Sequence, residues 1–218
     1  IFHFGYLLSY GVMTAFNSAV FLLVPKVLRQ FSQKSQDVDL MLNQTKIVEN
    51  IVVLIAVISI TLFPFIINTF MPQYVKSILV MQLLLLAYSI NSLSFLTGNH
   101  LIANGLQLRI VPIFVFALMM AVAMNYLSIN LGYGLNGIAI ATIFTFSIYS
   151  IGTFLVYLLA INRKKPVSFL ISIFWKIFTF TLLVILFLLS GLNSLWILIL
   201  YLIFYGVEVI KLVPKYLP

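Results

Sequence analysis

Cysteine is absent from the 218 residues, so no disulfide can brace the fold and no thiolate can serve as a nucleophile or metal ligand. Acidic residues are nearly as scarce, namely Asp37, Asp39, Glu49 and Glu208, and the histidines are only His3 and His100. An enzyme site needs converging acid, base, nucleophile or metal ligands. Here those residue types are scattered over distant segments, and no acidic pair falls at helical spacing inside an apolar run. Asp37 and Asp39 stand in a polar linker, where solvated surface charge explains them. The expectation is no catalytic residue, no metal site and no cofactor. The chain also opens on Ile1-Phe2-His3 without an initiator Met, a basic leader or a small-residue cleavage site, which reads as a piece of a longer protein.

What fills the chain is hydrocarbon. It is 63% hydrophobic and 7% charged with a mean hydropathy of +1.20, more apolar surface than a chain of this length can hide from water. An all-α, polytopic membrane helical bundle follows. Apolar runs near the twenty or so residues that cross a bilayer fall at Phe4–Val24, Ile47–Phe70, Ile78–Thr97, Ile110–Asn130, Gly137–Ile161, Val167–Ser190 and Leu195–Ile210, so about seven spans are expected. The net charge of +8 sits in the gaps between these runs and forms no basic face, which argues for lipid headgroups and against nucleic acid. Lys26, Arg29, Lys34 and Lys46 occupy the first gap, Arg109 the third, Arg163, Lys164 and Lys165 the fifth, and Lys211 and Lys215 the tail; only Lys76 falls in an intervening gap. Alternate gaps are therefore basic, which places the N-terminus outside and the C-terminus in the cytoplasm.

Within this frame, residues 26–46 mix apolar and polar side chains and suit a short amphipathic helix or a solvated linker. Gly11, Ala15 and Ala19 form a smooth ridge on the first span, and Pro64 should kink or loosen the second. A polar turn is expected from Gly98-Asn99-His100 through Asn104 and Gly105 to Arg109. The stretch Leu131–Thr142, LGYGLNGIAIAT, reads as a hairpin whose glycines let the chain reverse, with Gly134 at the turn and Gly137 and Ala141 on one close-packing helix face. After Pro166 the spans are dominated by Leu, Ile and Phe, as lipid-facing helices are. Residues 1–161 are therefore taken as the working bundle and 162–218 as a peripheral pair.

Polar side chains inside such spans are costly unless they find a partner or line a wet cavity. The substrate-binding candidates are Asn17, Asn50, Asn91, Asn104 and Arg109, the last because a guanidinium at a cavity mouth can meet phosphate. Glu49 is the candidate for ion coupling. Each has a plainer reading: amides commonly bond a neighbouring helix, and Arg109 serves equally as a positive-inside anchor.

The order of features carries a resemblance. A Pro ends a span before a basic linker; Leu62-Phe63-Pro64, Pro72-Gln73-Tyr74-Val75 and Gly132-Tyr133-Gly134-Leu135-Asn136-Gly137-Ile138-Ala139-Ile140-Ala141-Thr142 follow. Over about Leu22 to Ile161 this resembles the C-terminal half of bacterial polysaccharide flippases of the multidrug/oligosaccharidyl-lipid/polysaccharide exporter superfamily. Met71, Pro72 and Ile138 depart from the small residues common there. The resemblance implies the second helical bundle of an alternating-access transporter in the bacterial inner membrane. It would move undecaprenyl-pyrophosphate-linked oligosaccharide, such as an O-antigen or capsule repeat unit, to the periplasmic leaflet. Implied partners are that lipid-linked oligosaccharide, membrane lipids, and the polysaccharide polymerase and chain-length machinery. A multidrug exporter or peptidoglycan lipid-precursor flippase of the same superfamily is the alternative, followed by a membrane polysaccharide polymerase and a structural subunit.

Overall fold

The computed structural model describes residues 3–15, 17–18, 38–160, 166–190 and 195–216, all in helices or short turns between them; side-chain surroundings are described for 3–15, 17–18, 44–160 and most of 170–206. We number the helices α1 (residues 3–18, with 16 undescribed), α2 (Val38–Phe70), α3 (Ile78–Ala103), α4 (Val111–Asn130), α5 (Gly134–Ala160), α6 (Pro166–Leu189) and α7 (Leu195–Tyr216). Four described segments are long and apolar enough to cross a membrane: Gln44–Phe70, Pro72–Ala103, Gln107–Asn130 and Gly134–Ala160.

α3 is the axis of the bundle. It carries no Lys, Arg, Asp or Glu, and most of its residues are buried, from Val80 to Leu101. Its hydroxyls can be buried because they bond to their own helix: Ser89 Oγ donates to Leu85 O at 2.7 Å, Ser92 Oγ to Tyr88 O at 2.8 Å and Ser94 Oγ to Asn91 O at 2.6 Å. α1 and α5 flank it and run in its direction. Along α3, Met81 lies by Gly5, Tyr88 touches Tyr10 and Phe146, Ile90 accepts from Ser150 Oγ at 2.9 Å, and His100 meets Tyr157. α2 lies antiparallel to α3. α4 lies along α5 and buries only Ala117.

Two boundaries differ from the sequence reading. α2 begins at Val38 and runs unbroken for 33 residues, about 50 Å at the helical rise. The second half of the mixed linker is thus the opening of this helix: nothing between Val38 and Ile47 is Gly or Pro, so nothing stops it. The first half lies outside the described residues. α3 continues through Gly98, Asn99 and His100 to Ala103, and the turn is confined to Asn104-Gly105-Leu106, where Gly105 takes φ 70°. The ridge on α1 is also not used as expected. A Cβ added to Gly11 would meet open space and Ala15 is exposed, whereas a Cβ added to Gly5 would lie 3.1 Å from the Ser77 carbonyl oxygen, so the close approach falls there. Ala19 lies outside the described residues.

Pro64 sits inside α2, and its missing N–H frees the carbonyl of Ile60, four residues back. Gln82 Nε2 of α3 donates to that carbonyl at 3.0 Å, with the amide buried. The break is therefore closed by a neighbouring helix, which makes it a fixed joint. Replacing Gln82 by Leu should destabilise the fold by about 1 kcal/mol, since the carbonyl that Pro64 frees loses this donor. In a Pro64→Ala background the same change should cost almost nothing, because the alanine backbone supplies the N–H that proline lacks. Unfolding midpoints of the four proteins in mild detergent titrated with dodecyl sulfate measure the cycle.

α6 and α7 are apolar on their outer faces, with Trp175, Leu182, Trp196 and Leu202 exposed. Their inner faces are fully engaged. Phe174, Ile177, Phe180, Tyr201 and Tyr205 belong to the same apolar cluster as α2, α3 and α5, so one core takes residues from both sides of position 161. α7 packs on α2, and α6 bridges α5, α3 and α7.

Candidate functional site

The sequence candidates separate into three places. The first is a polar cleft of about 230 Å³ between α1, α3 and α5, where Asn17 and Asn91 stand together with Ser94, Asn99 and Tyr149. They converge because the three helices run in parallel and these positions share one level of the bundle. Asn99 Nδ2 is occupied by the Phe95 carbonyl at 2.7 Å. The carboxamide oxygen of Asn17 is buried and has no hydrogen-bond partner among the described residues. An amide acceptor in that state costs free energy unless something donates to it. Among the described residues lining the cleft there is no Lys, Arg, His, Asp or Glu.

Along the same three helices, nearer the end where α1 starts, lies a strip of rings. Tyr6 stacks on Tyr10 with centroids 5.6 Å apart, Tyr10 meets Tyr88 at 6.1 Å, and Tyr88 meets Phe146 at 5.6 Å. Tyr10 is 47% exposed, so the strip is open on one side. Tyr149, on the cleft wall, touches Phe114 of α4 edge-on at 6.5 Å. These rings were not among the sequence candidates. The signal was present in Tyr6 and Tyr10, one helical turn apart in an apolar span, and in Tyr88 and Asn91 on one face of α3.

The second place is the contact of α2 with α6 and α7. Glu49 and Asn50 are both buried there. Tyr205 O–H donates to Glu49 Oε1 at 2.8 Å, and Tyr201 O–H reaches the Asn50 carbonyl at 3.4 Å. Lys176 Nζ lies 4.0 Å from the centre of the Tyr205 ring, so a carboxylate and an ammonium meet on one tyrosine. It is the backbone carbonyl of Asn50 that this bond engages, and Asn50 is not among the residues lining the cleft. Lys176 and Tyr205 went unrecognised in the sequence because α6 and α7 read as lipid-facing.

The third place is the exposed turn after α3. Asn104 caps that helix: its Nδ2 donates to His100 O at 2.7 Å, and its own N–H bonds back to the same carbonyl at 3.1 Å. Arg109 is exposed in the short 3-10 turn Gln107–Arg109. Neither lines the cleft.

At the opposite end, the α4–α5 hairpin turns as its glycines predict, with φ 78° at Gly132 and 55° at Gly134. Gly137 is helical instead; its part is packing, since an added Cβ would lie 2.6 Å from Tyr133 Cβ and 2.9 Å from Ser128 Cβ. Gly137 and Ala141 also line an apolar hollow of about 450 Å³ closed by Met124, Ile140 and Leu189. Among the described residues no three His, Cys, Asp or Glu gather where a metal could bind.

Compared with models of protein families, with curated proteins and with solved structures, the chain matches none of them.

Proposed function

We propose that this chain is part of a multi-pass transporter that moves undecaprenyl-pyrophosphate-linked oligosaccharide from the cytoplasmic to the periplasmic leaflet of the bacterial inner membrane by alternating access. In this reading seven helices span the bilayer with the N-terminus outside, and residues 1–161 form the second bundle of the transporter. The observation that carries it is the uncharged amide cleft of Asn17 and Asn91 set in the face of an otherwise apolar bundle. A polar hollow at that depth suits a hydrophilic cargo in transit more than a structural contact, because the carboxamide oxygen of Asn17 has no partner among the described residues. The motifs from Pro72-Gln73-Tyr74 to Ala141-Thr142 lend it the support of their resemblance to flippases. Polysaccharide polymerase and chain-length machinery are the partners such a cargo calls for.

Deleting the gene should abolish surface polysaccharide and leave lipid-linked repeat units on the cytoplasmic leaflet; normal polysaccharide in a clean deletion refutes the reading. Restoring the gene with Arg109→Ala tests the guanidinium: undiminished transport makes Arg109 a membrane anchor. A multidrug exporter is the second reading, favoured by the buried Glu49 as a coupling carboxylate. It requires raised drug resistance on overexpression, and unchanged susceptibility across a panel removes it.

A further inference from the structure

The ring strip and the amide cleft lie one after the other along the same three helices. Each of its three helices contributes an aromatic residue first and a polar one further along: Tyr10 then Asn17 on α1, Tyr88 then Asn91 on α3, Phe146 then Tyr149 on α5. The helices run in one direction, so rings align with rings and polar groups with polar groups. This is not how a lipid-facing surface is composed, since a hydrocarbon chain seated in the cleft would leave amides desolvated and unpaired. Nor does it suit an ionised group, because no charged side chain is among the described residues that line the cleft. A flat apolar molecule would satisfy the rings and strand the Asn17 oxygen.

One ligand chemistry answers all three features. A pyranose has an apolar face of C–H bonds that packs on an aromatic ring, and an edge of hydroxyls that both donate and accept. The cleft, at about 230 Å³, is smaller than sites for drug-sized ligands, which begin near 300 Å³, and is suited to roughly one sugar ring. We propose that the α1–α3–α5 face is a neutral-saccharide site for more than one sugar unit, in which Asn17, Asn91 and Tyr149 read the hydroxyls of the ring in the cleft while Tyr10, Tyr88 and Phe146 pack on the next. This deepens the transport reading and rests on it only for the lipid-linked context of the sugar. It further assigns recognition here to the uncharged part of the cargo: the pyrophosphate is held elsewhere, and binding at this face is insensitive to salt.

The test is saturation-transfer NMR on the full chain in lipid nanodiscs, with chitotriose and maltotriose as probes and inorganic pyrophosphate as the charged comparison. At least one trisaccharide should receive saturation, unchanged between about 0.1 M and about 1 M NaCl, while pyrophosphate does not compete. Tyr88→Leu and Asn91→Leu should each reduce the transfer about fivefold or more, and Tyr126→Leu, on the exposed face of α4, should leave it intact. Should Tyr88→Leu fail to fold, Tyr10→Leu replaces it, since that ring is half exposed. No transfer from the wild-type chain, transfer undiminished in the variants, or displacement by pyrophosphate overturns the proposal. The two readings fail separately. Saccharide binding alongside normal polysaccharide in deletion cells refutes transport and keeps the site. Lost polysaccharide without saccharide transfer keeps transport and refutes the site.

Discussion

Replacing Glu49 by Leu is expected to destabilise the bundle by about 3 kcal/mol, the largest single effect anticipated for a side chain in this protein. Glu49 is 3% exposed and its carboxylate accepts the Tyr205 hydroxyl, while the ammonium of Lys176 lies over the same ring. Taking away the carboxylate strips the hydroxyl of this acceptor and removes the negative charge that stands across the Tyr205 ring from the Lys176 ammonium. Most of the loss comes from that lost pairing of charges. Three variants separate the contributions. Glu49→Gln keeps an acceptor for Tyr205 and removes the charge, so it should lose most of the roughly 3 kcal/mol; Tyr205→Phe removes only the hydrogen bond and should lose about 1.5 kcal/mol. Adding Lys176→Met to Glu49→Gln should recover at least half of the loss, because the pair then leaves together. Dodecyl sulfate unfolding midpoints report all of these. If Lys176→Met gives no recovery, the two charges are not coupled through Tyr205.

This cluster also marks where the sequence was readable and where it was not. Glu49 stood out because a carboxylate beside an apolar run is rare, but its partners come from α6 and α7, more than a hundred residues away. Hydropathy alone made those helices look like lipid-facing additions. Hydropathy counts side chains without their direction, so it could not reveal that Tyr201 and Tyr205, one turn apart, share the face turned to α2. The existence and order of helices were legible because runs near twenty apolar residues have few alternatives in a bilayer. Helix ends were less so. Gly98, Asn99 and His100 look like a turn, yet the helix continues, since Asn99 bonds to its own helix and His100 packs edge-on against Tyr157.

The cleft was half legible. Asn17 and Asn91 were identified by the cost of burying an amide in a span, and they do meet. Asn50 and Asn104 carried the same signal and lie elsewhere, one buried where α2 meets α7 and the other as a helix cap. Composition cannot separate an amide that answers a carbonyl from one that waits for a ligand; only the neighbours can. Gln82 makes the same point: its role depends on the carbonyl released by Pro64 in another helix.

Gly152→Leu is the second large effect, expected at about 3 kcal/mol. The face of α5 that carries Gly152 is where α4 lies, and a Cβ placed there would overlap the Ile113 Cγ2 methyl, which is fixed to a β-branched carbon and cannot swing aside. α4 buries only Ala117 and is held along its length by α5, through Gly152 with Ile113, Phe114 with Tyr149 and Ser128 with Gly137. Pushing the helices apart at Gly152 therefore weakens the other two contacts as well. Ile113→Ala in the same chain opens the space and should restore more than half of the stability; a double variant no better than Gly152→Leu alone would place the fault elsewhere. Gly206 supplies the contrast. It is helical, and an added Cβ would find its nearest neighbour at 3.9 Å, so Gly206→Ala should stabilise α7 by about 0.5 kcal/mol through helix propensity. Adding a side chain thus takes opposite signs at two helical glycines. The difference lies in whether a second helix occupies the place where the methyl would go.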